Sequence, residues 1–174
     1  MTDEPRSTRS GGPRYPYLLA LFATVLYVAL VVCAFGFITL LAGTDVVERP
    51  DAGVLVGPSA LAAAVVTVVL WLTRTAARLH TERVAGRPIH VPLGGAILAG
   101  IVTWLVYALV GAGLYALQTD APVSFLLYLA ESLARSYGIA VGILAVLVDL
   151  AFVLVLAGMG EHPARPLWPW ERRE

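Results

Sequence analysis

A single carboxylic acid, Asp149, stands inside the last of four long apolar runs. A charged carboxylate there costs about 2.5–3.5 kcal/mol even on a lenient membrane-insertion scale. On a helix, Gly138, Gly142 and Ala145 precede it at spacings of four, three and four, so the four residues share one face. Gly138-x-x-x-Gly142 is also a small-residue pattern that lets a second helix approach closely. Asp149 is therefore expected to face the bundle or an interface with another chain, not lipid. The apolar runs contain no lysine or arginine to pair with it, and the hydroxyls expected at similar depth belong to Tyr27, Thr67, Thr103 and Tyr107. An unpaired acid in such surroundings is cheaper to hold in its neutral form. That form can donate one hydrogen bond and accept others. Two chemistries follow: Asp149 ties helices together, or it carries a proton in a transport cycle.

The remaining reactive side chains form no comparable constellation. His80, His90 and His162 all lie in polar segments, with no His-x-x-x-His or Cys-His spacing of a metal site. With no histidine in the apolar runs, axial ligation of a buried haem has no support. Cys33 is the only cysteine, which excludes an internal disulfide or a CxxC pair, and it reads as a small apolar packing residue. There is no phosphate-binding G-x-x-x-x-G-K-[ST] loop, and Gly94-Gly95 reads as a packing contact. No nucleophile with a base beside it is visible, so the chain is not expected to be an enzyme, and no cofactor or metal is expected.

These residues must be positioned by helices in a bilayer. The chain is 59% hydrophobic and 14% charged, too apolar for water alone to surround it. Runs at about 17–43, 57–73, 91–117 and 137–159 are each apolar and near the length that crosses the hydrocarbon core. The first is too long for a signal-peptide core and no cleavage site follows it closely, so it reads as an uncleaved anchor. The expected fold is all-α: a bundle of four transmembrane helices plus a short extracytoplasmic amphipathic helix. That helix is expected at about 122–136, where Asp120 can cap it and Pro122 suits its first turn. Phe125, Leu126, Leu129 and Leu133 recur there at helical spacing, and Glu131 and Arg135 form an i,i+4 pair. Continued unbroken into the fourth span, it would reach about 55 Å, so a bend near Ser136 or Gly138 is expected.

The chain has twelve arginines and no lysine. Ten lie in the first, third and fifth polar segments; only Arg49 and Arg135 lie in the second and fourth. That bias puts both termini and the middle loop in the cytoplasm of a bacterial plasma membrane. Residues 1–16 read as a disordered N-terminal segment, and 160–174 as a cytoplasmic tail rich in proline, tryptophan and arginine. The basic segments are short and flank the spans, where anionic headgroups account for them, so nucleic acid is not an expected partner. The bilayer is, and another membrane protein or a second copy of the chain remains open.

In its basic N-terminus, four spans, arginine-rich middle loop and Trp168-Pro169-Trp170 tail, the chain resembles the small uncharacterised four-pass membrane proteins of high-GC bacteria, a family of unknown function. The resemblance implies a multi-pass membrane location and assigns no activity or site residue. Quinone-linked disulfide enzymes need paired cysteines, which are missing, and small multidrug exporters carry a glutamate in a first span that has none here. Two readings of function stand: a non-enzymatic accessory or scaffold subunit, or a small proton-coupled transporter using Asp149.

Overall fold

A computed structural model describes residues 15–43, 55–84, 93–119 and 122–158, and these form five helices. They are α1 (Tyr15–Ala42), α2 (Val56–Val84), α3 (Leu93–Thr119), α4 (Pro122–Ala134) and α5 (Ser136–Gly158). All but α4 are long and apolar enough to cross a membrane. The expected disordered N-terminal segment up to residue 14, Asp120 as a cap, and the Trp-Pro-Trp tail lie outside the described residues.

The long helices close a ring in which α1 packs on α2, α2 on α3, α3 on α5 and α5 on α1. Of the window that would cross the membrane, 44% is buried in α5 against 22% in α1, so α5 is the most enclosed helix and α1 the most outward-facing. Lipid tails are as apolar as leucine, so tight packing rather than escape from water must hold such a ring together. The sequence supplies that packing as rows of small residues. On α2 the buried face is Ala60, Ala64, Val68, Leu72 and Ala76, one residue per turn. Against it lie Tyr27 and Val31 of α1 and Val141, Ala145 and Val148 of α5, all in one core.

Local chemistry sets the helix ends. Pro16 and Pro58 sit in first turns, where a missing N–H removes no helical bond. At the far end of α1, Gly43 takes φ +62° and its N–H donates to the Thr39 carbonyl at 3.0 Å, a left-handed cap that glycine adopts without strain. Helix α2 runs past the apolar stretch that ends at Thr73 and continues to Val84. Arginine is a good helix former, and Arg74 and Arg78 occupy the exposed face while Ala76 and Leu79 stay buried. Cys33 also departs from expectation: it is exposed on the outward face of α1 rather than packed in the core.

Helix α4 packs along α3, with Tyr128 stacked on Tyr115 at 4.8 Å between ring centres. Its orientation inverts the rule for a helix on a water-soluble protein. Leu126 and Leu127 are 66% and 57% exposed, while Ser132 is buried. An apolar outer face and a polar inner one is the arrangement that suits a helix bathed in lipid. The bend between α4 and α5 falls at Arg135, one residue before Ser136. The Arg135 N–H still donates to the Glu131 carbonyl at 3.0 Å, and the Ile139 N–H to the Arg135 carbonyl at 3.3 Å. The chain thus turns without leaving these two backbone groups unbonded.

Candidate functional site: the α3–α5 seam and Asp149

Helices α3 and α5 meet through glycine. A Cβ on Gly100 would strike the Val146 side chain and lie 2.7 Å from the Gly142 carbonyl oxygen. On Gly142 it would lie 3.0 Å from Trp104 Cβ and 3.2 Å from the Gly100 carbonyl oxygen. Gly138 is as tight, at 2.8 Å from the Ser132 carbonyl oxygen and 3.2 Å from Trp104 Nε1. The two backbones approach this closely because neither presents a side chain where they cross. Gly138 and Gly142 are thus engaged inside the chain, and Ala145, one turn further on, is buried in the core. On its outward side the same seam opens into an apolar groove of about 230 Å³, with Gly100 and Gly142 along it and Ile97, Ile101, Ile139 and Ile143 among its walls.

Asp149 follows on the inner side of this seam. It is 3% exposed, and its Oδ1 is fully buried with no hydrogen-bond partner among the described residues. The hydroxyls expected at its depth are not bonded to it. Thr67 donates to the Ala63 carbonyl at 2.8 Å and Thr103 to the Ala99 carbonyl at 2.8 Å, each within its own helix. Thr24 does the same to Ala20. The Tyr27 hydroxyl crosses from α1 to donate to the Val141 carbonyl of α5 at 3.3 Å, two turns away from Asp149. Tyr107 lies further still, in an aromatic group where Phe35 meets Tyr107 and Tyr137 edge-on at 6.4 and 5.1 Å.

The register of the seam fixes the depth of the acid. Gly100 lies against Gly142 and Val146, so the antiparallel run brings Asp149 level with the first turn of α3, near Leu93 to Ile97. By the length of α5 alone, Asp149 is central; within the bundle it lies toward the end where α1 and α3 begin. Gly111 against Ala60 carries the same reckoning to α2 and puts Arg74 and Arg78 at about that level. Both point outward, and among the described residues no ion pair joins either to Asp149. Level in depth, the acid and the arginines are separated by the wall of the bundle.

Sequence reasoning did not find Gly100 or Trp104, the α3 side of the seam. A signal was present, since Ala96-x-x-x-Gly100 repeats the small-residue spacing seen on α5. It also missed the polar inner face of α4, because period alone shows that a helix has two faces and not which one lipid takes. Among the described residues no three metal-ligating side chains come together.

Comparison with curated proteins and with solved structures gives no match. A family model does match, over residues 6–174, nearly the whole chain. With four membrane-length helices and no assigned chemistry, this multi-pass membrane protein belongs to the family of unknown function DUF6121.

Proposed function

We propose that this chain is a non-enzymatic membrane protein in which Asp149 takes up and releases a proton while a solute crosses the bilayer. The observation that carries the reading is the enclosed Asp149 Oδ1, which has no hydrogen-bond partner among the described residues. An acid kept as helix glue would spend its oxygens on a bond to a neighbouring helix. A buried polar atom without a partner costs about 1–3 kcal/mol and calls for an explanation, and proton exchange is one that a carboxyl group can supply. In this reading the arginine-bearing end faces the cytoplasm, as the positive-inside bias requires, and the acid exchanges protons with that side.

The test is proton entry into proteoliposomes that enclose a pH-sensitive dye, with a pH gradient imposed and a panel of small solutes added outside. The wild-type chain is expected to admit protons with one class of solute, and Asp149→Asn to abolish that signal while keeping a monodisperse profile in detergent. Equal proton entry by both would sink the reading. A variant that falls apart would return Asp149 to a structural role.

A second reading, an accessory or scaffold subunit, draws support from the outward groove along Gly100 and Gly142. An apolar helix of another membrane protein could lie there, since Gly100 and Gly142 run along it and its other lining residues, four isoleucines with Trp104 and Val146, are apolar. Loss of a co-purifying protein on Ile143→Trp, with Asp149→Asn retaining it, would favour that reading.

A further inference from the structure

Where α3, α4 and α5 meet, at the opposite end of the seam from Asp149, a small cleft is lined by Tyr107, Tyr128, Glu131, Ser132, Arg135 and Tyr137. Every one of these side chains carries a polar group, in a chain that is 59% hydrophobic. Tyr107, Ser132 and Tyr137 are only 7%, 8% and 4% exposed. Glu131 and Arg135 close its rim as an ion pair at 3.6 Å, and the Tyr137 hydroxyl reaches on to Thr39 Oγ1 at 3.1 Å. The hydroxyl-bearing side chains of Tyr107 and Ser132 both border the cleft. Two nearly buried hydroxyls facing one space need something polar between them.

The size of the space selects the ligand. At about 20 Å³ it exceeds the roughly 10–15 Å³ that one water needs and falls far below the roughly 300 Å³ at which small-molecule pockets begin. A buried water makes two to four hydrogen bonds, and the lining offers hydroxyl, carboxylate and guanidinium groups to make them. Helix α4 fits the same purpose, for Tyr128, Glu131 and Ser132 line the cleft while Leu126 and Leu127 face outward. We propose that the α3–α4–α5 junction is a hydration site, holding water between Tyr107 and Ser132 and admitting it past the Glu131–Arg135 pair. Water thereby reaches the level of Trp104 and Gly138, and goes no further because the Gly100–Gly142 contact closes the seam beyond. This inference rests on the cleft and stands whether or not Asp149 carries protons.

Radiolytic footprinting of the full chain tests it, because hydroxyl radicals formed in bound water oxidise the side chain they touch. Tyr27 supplies the control: it is also buried, but its hydroxyl is bonded to Val141 and it does not line the cleft. Tyr107 and Tyr137 are expected to oxidise several-fold faster than Tyr27, and Ser132→Leu, which fills the space, to bring Tyr107 down to the rate of Tyr27. Wild-type Tyr107 and Tyr137 reacting as slowly as Tyr27 would overturn the proposal. So would fast oxidation of Tyr107 that persists in a folded Ser132→Leu chain. If that variant does not fold, the wild-type comparison decides alone.

Discussion

Asp149 and the cleft at the α4 junction are both polar and both enclosed, yet their surroundings are opposite. Around the cleft, five neighbours of Tyr107 bring polar groups, an ion pair closes the rim, and a short helix is turned inside out to supply them. Around Asp149 the adjoining core is Ala145, Val148, Phe152 and Val153, all apolar. The first arrangement gathers several polar groups around one small space; the second leaves one carboxyl oxygen with no partner among the described residues. Between them lies the glycine contact of α3 and α5, the tightest part of the bundle. The difference teaches that polarity alone does not mark a working residue. The cleft can be understood as a solvated structural joint, whereas Asp149 Oδ1 has no hydrogen-bond partner among the described residues.

The sharpest way to break the comparison is to force its two halves apart. Gly100→Val places a branched side chain against Val146 and the Gly142 carbonyl, and overpacking of this kind should cost about 3 kcal/mol or prevent folding. Thermal unfolding in detergent measures it, and an unchanged melting temperature would show that the seam is looser than described. Asp149→Leu should act in the other direction. Removing a buried atom without a partner should leave stability unchanged or raise it by about 1–3 kcal/mol, whereas loss of helix glue would lower it by a similar amount. Tyr115→Leu removes the stack on Tyr128 that holds α4 to α3 and should cost about 1 kcal/mol, read as a lower denaturant midpoint. Glu131→Gln weakens a partly exposed ion pair and should change stability by less than about 1 kcal/mol, with less difference still at high salt.

Much of this fold was legible in the sequence because a bilayer imposes length and polarity on whole segments. The four spans and the short helix after the third follow from apolar run lengths and proline positions, and the break before α5 falls one residue from where a 55 Å helix had to bend. The inward direction of Asp149 followed from the glycines on its own face. Its depth did not, because that depends on how α5 is staggered against α3, and stagger is set by which glycines meet across the seam. The sequence could not show the inversion of α4 either. Of the stripe Phe125, Leu126, Leu129 and Leu133, Leu126 is exposed and the other three are half-buried, a division that helical period alone does not show.

The central claim is that Asp149 exchanges a proton inside the folded bundle. Infrared titration of the reconstituted chain reads it directly, through the carbonyl stretch of a protonated carboxyl group that Asp149→Asn removes. The claim predicts a band that appears and disappears reversibly with pH while the amide bands of the helices stay constant. A band present at every pH at which the helices persist would mean a permanently neutral acid, and would contradict it.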